Sequence, residues 1–174
     1  MTLAFHRVPL IMLAASLMLV SSAFAQKVTT EFDESVDFGK FKTFAIREGQ
    51  MRSPNPALNS ELTKKRLEAE LERALTARGL TKATGRSDLN VFYTFGSLRR
   101  VETESYPAGW RGLGTRVAKV PYAEGTLVID LRDPTTRSLV WRGVATEDER
   151  NPSKLADKLD DMVKKAVGKY PPKK

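Results

Sequence analysis

The sequence predicts an α+β domain: a mainly antiparallel sheet of five to six strands with two amphipathic helices packed on one face, in the order ββαβ(β)ββα. Two observations support this class. Several short segments alternate apolar and polar residues or are rich in β-branched residues, which predicts strands. Two longer segments each have one apolar stripe at helical spacing, which predicts helices that bury a single side. Helices of that kind cover one face of a sheet.

The chain starts with the three-part pattern of a secretory signal peptide. Arg7 lies in a short basic start, an apolar run follows over residues 8–20, and Ala23 and Ala25 are the small residues that a signal peptidase accepts. The run is shorter than the roughly 20 residues that a transmembrane helix needs. We therefore expect a cleaved signal peptide at residues 1–25, a single α+β domain at residues 26–174, and export to the periplasm.

The first half of this domain contains two predicted strands and a helix. Residues 28–32 and 41–46 have strand patterns, and the proline-containing segment 48–58 is predicted to be a loop. Asn59 or Ser60 caps the helix that follows, and Gly79 ends it. The apolar stripe of this helix comprises Leu62, Leu67, Leu71, Ala74 and Leu75.

The second half is predicted to complete the sheet and to end in a helix. Residues 88–98 and 101–105 read as strands, the Gly- and Pro-rich segment 106–123 as a loop, and residues 125–131 and 139–144 as a hairpin. Asn151 caps the last helix and Pro152 occupies its first position. The hairpin contains Trp141, which we expect in the core rather than stacked on a ligand.

Composition excludes several kinds of chemistry. The chain has no cysteine, and its one histidine, His6, lies in the predicted signal peptide. Disulfides, cysteine-ligated metals, a lipid-modified cysteine and histidine-based triads are therefore not expected in the exported domain. We expect no cofactor and no metal. The formal net charge is +8.

Several of these motifs together resemble a known family. They are the exported leader, Phe41-Lys42-Thr43-Phe44, residues 125–131, residues 139–143 after a Pro-containing turn, and a closing helix that ends in Tyr170-Pro171. The set resembles the domain of unknown function 4136 family of Gram-negative envelope proteins. The resemblance implies a small exported α+β protein, and it implies no catalytic residues. Many relatives look like lipoproteins, but Gln26 stands where their cysteine would be.

The predicted loop and its approach concentrate basic and aromatic residues, which bind anions and sugars by charge and stacking. We predict a ligand site there, formed by Arg99, Arg100, Tyr106, Trp110, Arg111, Arg116, Lys119 and Tyr122. Export argues against nucleic acid as the natural partner. The candidate partners are then an envelope protein or an anionic envelope polymer or lipid. The alternative interpretation of the positive charge is that it only keeps the protein in solution.

These observations predict a non-enzymatic periplasmic binding or accessory protein. The alternative is a carboxylate-dependent hydrolase or lyase that acts on an envelope glycan or lipid, with Asp130 as the catalytic candidate. That alternative requires Asp130 to lie in a concave pocket near a second carboxylate, and an arginine-paired Asp130 would count against it. A third reading is a structural partner that adds its sheet edge to an envelope assembly.

Overall fold

The fold is a six-stranded mixed sheet with two helices on one face, and the computed structural model describes residues 27–108 and 114–173. The strands are β1 (Lys27–Phe32), β2 (Thr43–Arg52), β3 (Thr81–Lys82), β4 (Leu89–Ala108), β5 (Gly114–Arg132) and β6 (Leu139–Glu149). The helices are α1 (Glu61–Thr76) and α2 (Leu155–Val167), and short 3₁₀ helices span Phe38–Lys40, Pro56–Asn59 and Pro152–Lys154. The predicted α+β class is confirmed.

The sheet has the strand order β1-β6-β5-β4-β2-β3. The pairs β1–β6, β6–β5 and β5–β4 are antiparallel, whereas β4–β2 and β2–β3 are parallel. The parallel pairs arise because α1 lies between β2 and the strands that follow it, so the chain crosses over before it returns to the sheet. The sheet is therefore mixed, with its antiparallel part in the majority as predicted.

The two helices run side by side in the same direction. Arg66 of α1 pairs with Asp160 of α2 at 3.0 Å, and one turn later Glu70 lies 4.0 Å from Lys164. Equal steps along both helices keep the partners in register, which requires parallel axes. Both helices therefore begin at the same end of the molecule.

The core lies between the helices and one face of the sheet. Leu67, Leu71 and Leu75 of α1 are fully buried there. Leu62 does not join them: its exposed fraction is 79%, because at 100° per residue it lies on the side of α1 opposite the buried stripe. Apart from Leu62, the predicted stripe of α1 is confirmed, with Ala74 partly buried against the core.

Trp141 is a core residue, as predicted. It is completely buried, and its ring meets the ring of Tyr170 edge to face with 5.7 Å between centroids. A buried tryptophan without access to solvent packs the interior and does not stack on an incoming ligand.

Two predicted loops are wrong. The strand expected at residues 41–46 extends to Arg52, because β2 pairs with β4 along that length. The segment 106–123 is mostly strand rather than loop: β4 continues to Ala108 and β5 starts at Gly114. Pro107 and Pro121 fit these strands because a two-stranded ribbon leaves every second backbone N–H without a ladder partner. Of the helices described, neither is long and apolar enough to cross a membrane.

Candidate functional site

Strands β4 and β5 extend beyond the rest of the sheet as a two-stranded arm. The last residue that β2 pairs with is Gly96, and the last residue of β5 that β6 pairs with is Ala123. Beyond these points, residues 99–108 and 114–122 pair only with each other among the described residues. We call these two segments the arm. Both of its faces and both of its edges are available for contact with other molecules.

Alternation along the strands gives the arm two faces. Gly125 faces the helices, because a Cβ atom there would meet the side chain of Leu155 on α2. Side chains alternate between the two faces along a strand, and residues paired across the ladder share a face. The position of Gly125 therefore assigns every other residue of β5, and its partner on β4, to a face. The inner face, which continues the helix-covered side, contains Arg99, Val101, Thr103, Ser105, Val117, Lys119 and Pro121. The outer face contains Arg100, Glu102, Glu104, Tyr106, Arg116, Ala118, Val120 and Tyr122.

The predicted ligand residues are divided between these faces. Arg100 lies directly opposite Tyr122, and Tyr106 lies directly opposite Arg116, so the outer face has two Arg–Tyr pairs. Arg99 and Lys119 lie on the inner face. Trp110 and Arg111 lie outside the described residues. The structure thus brings six of the eight predicted residues onto the arm, but not into one cluster.

Acidic partners hold part of the outer face. Arg100 donates to Glu124 at 3.0 Å, and this hydrogen bond raises the pKa of the guanidinium. Arg150 at the end of β6 donates to Glu104 at 2.5 Å, and the Tyr106 hydroxyl donates to the same carboxylate. The pair between Arg150 and Glu104 braces the arm against the edge of the sheet.

The inner face is cationic and apolar. It has no acidic side chain among the described residues, whereas Glu102 and Glu104 both point to the outer face. Arg99 and Lys119 form no ion pair with a described carboxylate, and neither does Arg116 on the other face. Val101 and Val117 are 59% and 60% exposed on the same face. A surface of this kind attracts anions and offers apolar contact to them.

A pocket of about 560 Å³ opens where the inner face of the arm meets the beginnings of the two helices. Most of its lining is apolar: Pro54, Leu58, Leu98, Ala123, Pro152 and Leu155. Asn55, Ser97 and Arg99 complete it. Sites for small molecules have this size and this mixture of many apolar groups and few polar ones.

Sequence reasoning missed this pocket. Its walls come from two turns with the same opening dipeptide, Asn55-Pro56 and Asn151-Pro152. In each turn the asparagine side chain accepts a hydrogen bond from the backbone N–H two residues later, and proline begins a 3₁₀ helix. The turns meet in space, since the Asn55 side chain donates to the carbonyl of Pro152 at 3.4 Å. The repeated dipeptide before each helix was the available signal.

Asp130 lies on the face of the sheet that the helices do not cover, between two arginines. Arg142 donates to both of its oxygens, at 2.6 and 2.8 Å, and Arg132 donates at 3.2 Å. Burial alone would raise the pKa of Asp130, but the hydrogen bonds and charges of Arg142 and Arg132 outweigh it and hold this pKa below its usual value. A carboxylate held ionised by two guanidinium groups is poorly suited to act as a general acid or base.

A second acidic group lies where the arm joins the sheet. Asp148 of β6 is directly opposite Glu124 of β5, and its Oδ1 is buried without a hydrogen-bond partner among the described residues. Burial raises the pKa of Asp148, and the charges of Glu124 and Glu102 raise it further. Within the described residues, no group of three or more acidic or histidine side chains is arranged to hold a metal ion.

Comparison with one solved structure supports the fold, and two others are similar to this chain with lower scores. A PDZ domain protein from Parabacteroides distasonis is similar over 84% of this chain, with 19% identity and a TM-score of 0.59, and this chain spans 36% of that protein's length. A DUF4136 family protein from Bacteroides thetaiotaomicron is 16% identical with a TM-score of 0.49, over 84% of this chain and 96% of that one. A PelC dodecamer from Paraburkholderia phytofirmans is 13% identical with a TM-score of 0.47, over 82% of this chain and 95% of that one.

A search of curated protein sequences finds no match to this chain. The family model described as "Domain of unknown function (DUF4136)" matches residues 28–172, which include every strand and helix of the fold except the first residue of β1. The resemblance inferred from the strand and turn motifs is confirmed: the chain belongs to the DUF4136 family.

Proposed function

We propose that this chain is a non-enzymatic binding protein of the bacterial cell envelope and that the arm is its contact surface. One observation supports this proposal above the others. The arm is a two-stranded ribbon that projects from a complete domain, and its apolar side chains Val101 and Val117 remain more than half exposed. An isolated two-stranded ribbon is marginally stable in water, so an arm of this length gains stability from a partner.

The charges of the arm favour an anionic partner. Arg99, Arg116 and Lys119 have no carboxylate partner among the described residues. Negatively charged components are abundant in a bacterial envelope, in the form of lipid phosphates and polymer carboxylates. Attraction between such a surface and the arm would be strongest at low ionic strength.

Catalysis has little support in these residues. Residues 27–173 contain neither cysteine nor histidine, and the one carboxylate proposed as catalytic, Asp130, is held by Arg142 and Arg132. The hydrolase or lyase alternative therefore loses the residue on which it was based.

The proposed compartment rests on the leader pattern in residues 1–25, which is typical of export. The chain has no cysteine that could receive a lipid, so attachment to the envelope would depend on non-covalent contacts. That requirement gives the arm a role, since it supplies the exposed apolar and basic side chains that such contacts need.

Sedimentation with isolated envelope fractions tests the proposal. The double variant Arg116→Gln/Lys119→Gln removes two charges from the arm. The matched control Arg86→Gln/Lys169→Gln removes two exposed charges at the opposite end of the molecule, before β4 and after α2. We expect the arm variant to lose most of its retention at low salt and the control to lose little. Equal retention of the two variants would refute the proposal, and thermal unfolding would show that both are folded.

A further inference from the structure

We propose that the pocket at the base of the arm binds a single alkyl chain that ends in an anionic head group. The chain would occupy the apolar interior, and the carboxylate or phosphate head would meet Arg99 at the rim. This site lies at the base of the arm and shares only Arg99 with it. Its ligand would bind whether or not the arm holds the protein on the envelope.

The interior of the pocket suits an alkyl chain because its polar lining groups are already bonded. The Ser97 hydroxyl lies 2.5 Å from that of Ser53, and the Asn55 side chain accepts from the Ala57 N–H at 3.1 Å and donates to Pro152. The remaining lining residues apart from Arg99 are proline, leucine and alanine. A polar ligand would find no unbonded partner among the described side chains there, whereas an apolar chain would gain about 25 cal/mol for each Å² that it removes from water.

The rim of the pocket suits an anion because of Arg99. This side chain lines the pocket, is exposed, and forms no ion pair with a described carboxylate. The acidic residues nearest in the ladder, Glu102 and Glu124, lie on the opposite face, and Glu124 is engaged by Arg100. Arg99 therefore provides a cation beside an apolar cavity, without a neighbouring acid to neutralise it. A guanidinium binds carboxylate and phosphate groups with two parallel hydrogen bonds.

Two residues separate the contributions of chain and head group. Pro54 lines the pocket and is exposed, so Pro54→Gln changes the wall without emptying the core. Pro134→Gln is its matched control, at an exposed proline in the turn between β5 and β6 that does not line the pocket. Arg99→Gln removes the cation, and Arg86→Gln removes an exposed cation from the other end of β4.

Titration of the purified full chain with dodecanoate, followed by calorimetry, tests the inference. We expect saturable binding of one dodecanoate, and weakening by about tenfold in Pro54→Gln and in Arg99→Gln, because loss of one apolar wall or of one charge-assisted hydrogen bond each reaches this size. The two control variants should bind within about twofold of the wild type. Dodecyl maltoside, which has the same chain and a neutral head, should bind at least tenfold more weakly.

The inference would be overturned by no binding of dodecanoate below its micelle concentration, by equal binding of dodecyl maltoside, or by unchanged binding in both pocket variants. Acetate separates an alkyl-chain site from a simple anion site, since acetate binding as tight as that of dodecanoate would also refute it. Retention on envelope fractions is measured independently. A negative dodecanoate titration therefore does not refute the proposed role of the arm, and a negative sedimentation result does not refute the alkyl-chain site.

Discussion

The phenolic oxygen of Tyr93 on β4 lies 2.7 Å from Glu68 Oε1 on α1, and the ring reaches the helix by passing over Gly49 of β2. A Cβ atom on Gly49 would stand 1.8 Å from Cζ of Tyr93, so only glycine leaves room for the ring. The hydrogen bond therefore ties α1 to the sheet through a gap in the intervening strand. It also explains a glycine in the middle of β2, where this residue otherwise weakens a strand.

Gly49→Ala should lower the free energy of unfolding by about 3 kcal/mol, at the upper end of the usual cost of overpacking, because the methyl group and the Tyr93 ring cannot occupy the same space. Urea denaturation measures this change. Gly85→Ala is the matched control: nothing lies within 4 Å of a Cβ atom there, so its effect should stay within about 0.5 kcal/mol. Similar losses in the two variants would contradict the assigned contact.

The two buried tyrosines predict opposite outcomes for the same substitution. The Tyr93 hydroxyl donates to Glu68, whereas the Tyr170 hydroxyl is buried without a partner among the described residues, and burial raises the pKa of Tyr170 to about 12. Tyr93→Phe should destabilise the protein by about 1 kcal/mol, since it removes a hydrogen bond from a charged acceptor. Tyr170→Phe should be neutral or stabilising, because it removes an unsatisfied group and keeps the ring contact with Trp141. Equal destabilisation by both would be inconsistent with these hydroxyl environments.

Asp130 predicts loss of stability in acid. The pKa of Asp130 is lower in the folded state than in the unfolded state. Its contribution to the free energy of unfolding is therefore complete above the unfolded pKa of about 4 and disappears as pH falls through the folded-state pKa. Asp130→Asn should cost about 1 kcal/mol at pH 7, a modest figure because Arg132 and Arg142 are each more than a third exposed. Thermal unfolding from pH 7 to pH 2 should show the two proteins converging in acid. A difference that stays constant with pH would exclude an ionic role.

Asp148 predicts the opposite dependence on pH. Burial and then the charges of Glu124 and Glu102 raise its pKa, so the folded state holds this proton more tightly than the unfolded state does. The resulting destabilisation is absent below the unfolded pKa and complete once pH exceeds the raised folded value. Asp148→Asn should therefore increase stability at pH 7 by about 0.5 kcal/mol, the size usual for surface substitutions, and the gain should vanish below about pH 4. A variant that is less stable than the wild type at pH 7 would contradict this assignment.

The features that sequence predicted well are those set by local patterns. The 3.6-residue stripe of α2 and the alternation of β4 through Leu89, Val91 and Tyr93 each require only neighbours in sequence, and both are borne out by burial. The pairing of β2 with β4 depends on long-range contacts, and no local signal marks it as parallel. Residues 106–123 are predicted to be a loop because glycine and proline are abundant there, but both residues are compatible with a ribbon whose outer backbone groups face solvent.

The pocket could not be predicted from local patterns either. Leu58, Ala123 and Leu155 come from three distant parts of the chain, and each reads as an ordinary core or loop residue by itself. Only the parallel packing of α1 and α2, with both beginning beside the base of the arm, brings them together. Asp130 is a partial exception, since it could be proposed to pair with Arg132, two residues along the same strand, or with Arg142 on the next strand of the hairpin.

Removal of the arm separates the two proposed sites. Arg100 and Tyr122 are cross-strand partners next to the Val101–Pro121 pair, in which proline cannot donate to the ladder, so they form a hydrogen-bonded pair. An Asn-Gly turn between them can replace residues 101–121 and close a two-residue hairpin. The shortened protein should fold, with a free energy of unfolding within about 2 kcal/mol of the wild type, because the described residues that are removed pair only with each other and lose few outside contacts, chiefly that of Glu104 with Arg150.

Envelope retention and dodecanoate binding should then respond differently to the truncation. Sedimentation with envelope fractions should fall to background, since Val101, Arg116, Val117 and Lys119 are gone. Dodecanoate binding should persist, since Arg99 and the rest of the pocket lining remain. Retention at the wild-type level would refute the arm as the contact surface. Loss of dodecanoate binding from a folded truncated protein would instead place the alkyl-chain site on the arm rather than at its base.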